Sequence, residues 1–285
     1  MKTKGLISVI IVSKNEENHI GVCIKSVLET AYEPKEIIVV DDSSDRTPEI
    51  VKKFKDVRLI RATGSLGAAR NIGWRAAKGQ YICFVDADIL LPRDYFERMM
   101  PYFKGNVGIV GCRNKALRKG FFSSSDDLAL HLSKIQWGCF KGGINTVPCG
   151  GTIYLRKAIE DAGGFDDVRF GEDSSICIKA KGKGYDIVYP LDVFNYHDFT
   201  PKFKQWSLQC MKGGSESAHK SYLIALVISP IRGIFFMVQG LIFTDERKTS
   251  LYLPFYYPLK WIFICWGTIK EKLGKKIEWE HREST

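Results

Sequence analysis

The chain lacks closely spaced cysteines. Eight are present, yet no two lie closer than ten residues, so there is no C-x-x-C pair and no zinc-type spacing. Reduced, buried thiols are therefore expected. There is no G-x-G-x-x-G and no G-x-x-x-x-G-K-[ST], which removes the dehydrogenase and P-loop readings. There is no internal repeat and no low-complexity stretch. The N-terminus, MKTKGLISVIIVSKNEE, has an apolar run too short for a secretory leader and no small-residue cleavage site. A basic tail is missing too. Lys and Arg number 42 against 32 Asp and Glu, but the net charge of +10 divides into +7 before Tyr222 and +3 from there on. Spread charge of this kind argues against nucleic acid and for smaller anionic partners, phosphorylated ligands or an acidic lipid surface.

What is present is uneven hydrophobicity. Tyr222–Phe243 has 16 apolar residues out of 22, and Leu251–Trp266 has 13 out of 16. The first 200 residues instead alternate strand-like and helix-like segments. Leu6–Val12, Glu36–Val40, Val57–Ile60, Tyr81–Val85 and Val107–Val110 are short apolar, β-branched runs, the pattern of strands buried on both faces. Ser13 with Glu16 reads as a capping box opening a helix to about Glu29. Thr47-Pro48, Gly67–Ala77 and Pro92–Phe103 mark further helices. Ser123–Gly138 and Glu172–Lys181 read as helices, and Ile187–Tyr189 as a strand. Gly142-Gly143 and Gly150-Gly151 read as flexible loops around Thr152–Leu155. Such alternation implies a doubly wound, mostly parallel α/β sheet, in which ligands bind at the carboxyl ends of the strands.

Acidic clusters stand at two of those ends. Asp86-Ala87-Asp88 follows the fourth strand, where two carboxylates can share a divalent cation and the diphosphate it neutralises; Mg²⁺ or Mn²⁺ suits such oxygen donors. The small Ala87 leaves room for a ligand. Asp41-Asp42 ends the second strand, where a carboxylate can accept from a ribose or base, or simply cap the next turn. Glu172 and Asp173 at a helix start either favour the helix dipole or present a base to an acceptor.

In this order the motifs resemble those of the family 2 inverting glycosyltransferases. The matching pieces are Ser8–Val12 with Ser13-Lys14-Asn15-Glu16-Glu17; Ile37–Asp45; Gly67-Ala68-Ala69-Arg70-Asn71-Ile72-Gly73; Tyr81–Asp88; Gly163-Gly164-Phe165-Asp166; and Gly171-Glu172-Asp173. They cover about residues 6–200. The resemblance implies a GT-A, Rossmann-like fold over residues 1–210, followed by a C-terminal hydrophobic helical appendage over 211–285. It further implies an enzyme that moves a sugar from a nucleotide-sugar donor to a hydroxyl of a glycan or lipid-linked glycan. Synthesis of a polyprenyl-phosphate sugar carrier and an inactive sugar-nucleotide-binding scaffold are the alternatives. Val12, Lys14 and Glu16 fall on the loop that meets the nucleotide, although Val12 and Lys14 stand where the family often has Pro and Tyr. Asp42 falls on the base or ribose contact, Asp86, Ala87 and Asp88 on the diphosphate–metal motif, and Asp173 on the catalytic base. His197 would be a further metal or phosphate ligand, or a structural histidine. Arg70 would face the diphosphate or cap the sheet.

The two C-terminal apolar stretches are too interrupted for clean membrane spans. The first carries Pro230 and Arg232, and Arg at a helix centre costs roughly 2.5–3.5 kcal/mol on insertion scales. The second carries Pro254, Pro258 and Lys260 and is followed by Lys270, Lys272, Lys275 and Lys276. Helices lying in the cytoplasmic face of a membrane fit this pattern, with an oligomerisation face or true spans as the alternatives. Trp206 and Gln209, just upstream, would close over an acceptor or pack a helix.

Overall fold

A computed structural model describes residues 5–140, 143–168, 171–198, 203–216 and 222–273. Strands β1 (Ile7–Ser13), β2 (Lys35–Asp41), β3 (Val57–Arg61) and β4 (Tyr81–Asp86) lie side by side in the order 3-2-1-4, all parallel. Helices α1 (Ile20–Leu28), α2 (Thr47–Val51) and α3 (Leu66–Ala76) make the crossovers. The register Ser13↔Asp41 and Val12↔Asp86 brings the carboxyl ends of β1, β2 and β4 level with one another. This alignment gathers the sequence motifs at one edge.

The sheet continues less simply. After β4 come the two-residue β5 (Ile89–Leu90), α4 (Tyr95–Met99), β6 (Val107–Val110), β7 (Arg113–Ala116), α5 (Phe121–Phe140) and β8 (Ile153–Leu155). Next are α6 (Arg156–Asp161), α7 (Glu172–Gly182), β9 (Asp186–Val188) and β10 (Phe194–His197). The seven-stranded order is β3-β2-β1-β4-β8-β6-β9, with β8 antiparallel to both neighbours. Thr152–Leu155 is thus the middle of a sheet and not a segment between flexible loops. A second, three-stranded sheet has the order β5-β10-β7. Apolar side chains of β1, β2 and β4 fill two cores by strand alternation: Val9, Ile11 and Val39 on one face with α1, and Ile10, Ile38 and Val40 on the other with α3.

Two local expectations change. Ser13 does not cap a helix, because its Oγ donates to Asp41 Oδ1 across to β2 at 2.7 Å. Residues 14–19 form a loop in which Asn15 takes φ +55°, and α1 starts only at Ile20. At α2 the Asp45 carboxylate accepts from the Thr47 amide at 3.0 Å, so Asp45 does the work expected of Thr47.

Helices α8 (Phe203–Glu216), α9 (Tyr222–Phe243), α10 (Arg247–Ser250) and α11 (Leu253–Lys272) follow. The chain forms two compact units: residues 1–115 with 136–198, and residues 116–135 with 199–285. The helical unit therefore begins before residue 211 and takes in a segment from the middle of the chain. Its core explains why. Leu128 and Leu132 of α5, Trp206 and Cys210 of α8, Phe236 of α9, and Leu253, Tyr256 and Tyr257 of α11 share one apolar cluster. Trp206 is buried, stacks on Phe122 at 4.5 Å and donates to Asp126 at 3.0 Å, so it packs a helix; Gln209 is exposed. Among the described residues, seven cysteines are buried.

Candidate active site

The turn after β4 carries the first acidic pair. Asp88 is buried, and its Oδ2 lies 3.2 Å from His197 Nε2. The small sheet creates this meeting: β10 runs antiparallel to β5 with His197 opposite Ile89, and the Asp198 amide donates to the Asp88 carbonyl at 2.8 Å. His197 is accordingly the last residue of a strand that sequence reading did not mark. The alternation in Phe194-Asn195-Tyr196-His197 was the available signal.

Asp86 is half-exposed and points differently. Its Oδ1 lies 3.4 Å from Arg70 Nη2, and a Cβ on Gly150 would come within 2.9 Å of its Oδ2. Gly150 is thus the close wall of the site, a role hidden behind its reading as a loop glycine. Ala87 turns the other way. Its side chain is buried in the core cluster with α1, so its methyl does not line a ligand space, and only its backbone is at the turn.

Arg70, expected either to face a diphosphate or to cap the sheet, is held by two carboxylates. It is 3% exposed, and its guanidinium is held by Glu172 through Nη1 as well as by Asp86. Burial alone would lower its pKa, yet Asp86 and Glu172 raise it above the ordinary value and keep it charged. Burial in turn raises both carboxylates, with Arg70 opposing in each case. The arginine therefore ties the end of β4 to the start of α7. Glu172 is the buried partner, a role the sequence could not separate from helix-dipole stabilisation.

Asp173 sits beside it with a different environment. It is half-buried, its Oδ1 accepts from the Ser174 amide at 2.6 Å, and among the described residues it has no cationic partner. Gly171, at φ +81°, supplies the left-handed turn that starts α7 and is the kind of position that favours glycine.

The segment Gly163–Val168 seats on α3. Asn71 donates to the Phe165 carbonyl at 2.8 Å and accepts from the Phe165 amide at 3.0 Å. The Asp166 carbonyl comes so close to Gly67 that a Cβ there would meet it at 1.8 Å. These contacts explain the pairing of two distant sequence pieces.

On the second strand the two aspartates separate. Asp41 is fully buried and accepts from Ser13 and Ser43, with Arg61 as its ion partner; it is structural. Asp42 remains at the rim and pairs with Lys14 at 2.6 Å. Glu16 Oε2 lies 2.9 Å from His19 Nδ1, and the Glu16 amide donates to Thr47, so this residue is engaged in holding the loop. Val12 is half-buried in the second core.

Among the described residues no three His, Cys, Asp or Glu side chains group to hold a metal by themselves. The Asp88–His197 pair supplies one oxygen and one nitrogen donor. That set fits a divalent ion that completes its shell with phosphate oxygens and water.

Residues 8–163 match the family model for glycosyl transferase family 2. The chain belongs to this family. It is 37% identical over 129 residues to an uncharacterized glycosyltransferase, EpsJ, of Bacillus subtilis strain 168, covering 43% of this chain and 36% of that protein. It is 30% identical over 197 residues to the poly-beta-1,6-N-acetyl-D-glucosamine synthase of Staphylococcus epidermidis, covering 64% of this chain and 47% of the relative. The chain thus spans less than half the length of these relatives. In fold it is similar to a mannosyltransferase from Pyrobaculum calidifontis solved with GDP-Man and Mn²⁺ (TM-score 0.64, 20% identity, 96% of this chain and 89% of that one). It is also similar to the glucosyl-3-phosphoglycerate synthase of Mycobacterium tuberculosis solved with Mn²⁺, UDP and phosphoglyceric acid (TM-score 0.52, 19% identity, 70% and 73%). These likenesses show a GT-A-like, mostly parallel sheet with flanking helices.

Proposed function

We propose that this family 2 protein is a metal-dependent inverting glycosyltransferase that moves a sugar from a nucleotide-sugar donor to a hydroxyl of a glycan or lipid-linked glycan. One observation carries the reading: Arg70 bridges Asp86 and Glu172, so the diphosphate–metal motif and the residue preceding the candidate base are fixed to one side chain. Asp88 and His197 would hold the cation, and Lys14 and Asp42 stand at the rim where a nucleoside would lie. When bound, Mg²⁺ or Mn²⁺ offsets the negative charge of the diphosphate.

The chain's own residues account for the rest. Asp173, with no cationic partner among the described residues, accepts the proton of an acceptor hydroxyl. The hydroxyl oxygen bonds to the anomeric carbon as the bond from that carbon to the diphosphate breaks, and the electron pair leaves with the diphosphate oxygen. Attack from the opposite side inverts the anomeric configuration. Glu172 cannot share the work, because Arg70 occupies it.

The test is a thermal-shift screen of UDP- and GDP-sugars with Mn²⁺ or Mg²⁺. A donor at 100 times its Kd adds about 2.7 kcal/mol of apparent stability. The expected upshift needs the cation and disappears in Asp88→Asn. An upshift that survives chelation, or none with any nucleotide sugar, would remove the metal-dependent reading. Transfer to polyprenyl phosphate that survives Asp173→Asn would identify a carrier synthase instead, since a phosphate acceptor is already an anion near neutral pH.

A further inference from the structure

The helical unit wears its apolar residues on two opposite faces. In α9 the inward stripe is Ser229, Gly233, Phe236 and Gly240, all buried, at helical spacing. Gly233 and Gly240 allow close approach: a Cβ on Gly233 would strike the Leu253 backbone at 2.7 Å, and one on Gly240 would strike Ser250 at 2.3 Å. The outward stripe has the same spacing and is also apolar. Val227, Ile231, Ile234, Val238 and Ile242 are between 44% and 75% exposed. Helix α11 repeats the arrangement. Tyr256 and Gly267 turn inward, while Phe255, Ile262, Trp266 and Ile269, with Leu273 just past the helix end, turn outward and are between 45% and 73% exposed.

Water is a poor solvent for ten large apolar side chains in two neighbouring stripes. By length and composition α9 could cross a membrane, yet only 22% of its apolar window is buried in the protein. The flanks argue against a crossing. Exposed Arg232 lies over the Phe236 and Tyr257 rings at the border of the stripe. The inner face of α9 is covered by α5 and α11, and α8 in the same unit exposes Lys204 and Gln209. Lipid can therefore reach one side of α9 and not its whole circumference. Exposed Arg247 and Lys248 follow the end of α9, close in sequence to the exposed Asp245, exposed Lys272 ends α11, and the chain carries +3 from Tyr222 onward.

We propose that the outward stripes of α9 and α11 form an in-plane docking surface for a membrane with anionic headgroups, the apolar side chains entering the leaflet and the bordering cations meeting the phosphates. The charge complementarity selects lipid over a second copy of this chain, whose identical cations would repel.

The test is flotation of the full chain with phosphatidylcholine vesicles, with and without phosphatidylglycerol. Binding is expected only with the anionic lipid, weakened by salt and released by alkaline carbonate. Ile234→Glu and Phe255→Glu are each expected to lower the bound fraction about tenfold. Their thermal unfolding and their donor-dependent upshift should stay at the parent values. Because donor binding is read separately, failure here leaves the transferase reading standing, and the reverse. Three results would overturn the proposal. They are retention through alkaline carbonate (a span), unchanged flotation in both variants, and a dimer by light scattering that Ile234→Glu dissociates while vesicles are ignored.

Discussion

The α/β unit and the helical unit both bury an apolar core, but they differ in what they leave outside. In the first, the central strands β1, β2 and β4 bury apolar side chains on both faces, and the charged groups drawn inside are ion-paired: Asp41 with Arg61, and Arg70 between Asp86 and Glu172. In the second, an aromatic and leucine cluster fills the inside together with Ser229, Ser250 and the Asp126 network of Trp206, Tyr256 and Lys260, while further large aliphatics of α9 and α11 turn outward. A chain-wide composition averages these and looks like an ordinary soluble protein. The difference teaches that the two units face different surroundings, and that chemistry and docking should separate under mutation.

The largest effect should come from breaking the chemistry alone. Asp173→Asn is expected to lower kcat for transfer to a hydroxyl acceptor by roughly 10²–10⁴-fold, the usual worth of a positioned base. Steady-state assays at saturating donor would read it. Vesicle binding of the same variant should not move. If kcat holds, Asp173 is not the base; if vesicle binding falls with it, the two units are not separable in function.

The next effect compares the buried charge of one unit with that of the other. Arg70→Met leaves Glu172 buried without its cation, and removing one partner of a buried pair costs about 3–5 kcal/mol. Lys260→Met in the helical unit should cost less, about 1 kcal/mol, because Lys260 and Asp126 are each about a third exposed and Tyr256 and Trp206 still donate to Asp126. Urea unfolding of both variants measures the contrast. Equal losses would mean that Arg70 is not the clamp its burial implies.

The sequence disclosed the strands whose partners are near in order. β1, β2 and β4 are built on apolar runs, and the ends of β2 and β4 carry the acidic motifs, so the doubly wound pattern brings the candidate site residues of these ends to one edge. What escaped depends on partners far along the chain. Ser13 looked like a helix cap because a local pattern cannot show that Asp41, 28 residues on, takes its hydroxyl. The antiparallel β8 is three residues long, too short to show a period, and the strand ending in His197 offers only a four-residue alternation. The two readings of Arg70, facing a diphosphate or capping the sheet, could not be separated because its buried acceptor, Glu172, lies 102 residues away. Ala87 was assigned by its neighbours, while the alternation of the turn sends its methyl into the core. In the C-terminal helices hydrophobicity was legible, but which stripe faces inward depended on the glycines that admit a neighbouring backbone.

The smallest effect tests the polar rim of the α/β unit. Hydrogen bonds from Lys179 and Ser175 hold the Asp166 carboxyl below its ordinary value of 3.8, so the ionised form is the one the fold favours. A depressed native pKa contributes stability that is fully present above the unfolded value and is lost as pH falls through 3.8 to the lower native value. Glu172 has the opposite sign, since burial raises it, and its contribution fades as pH rises; it is common to parent and variant and cancels in their difference. Asp166 is half exposed, so the pair contributes under about 1 kcal/mol. Asp166→Asn should therefore be slightly less stable than the parent at neutral pH, and the gap should close as pH falls below about 4. Urea midpoints taken across that range decide it. A gap that widens on acidification would mean that the carboxyl is favoured in its protonated form, and that the loop seated on α3 is held by Asn71 and the fit at Gly67 without help from this ion pair.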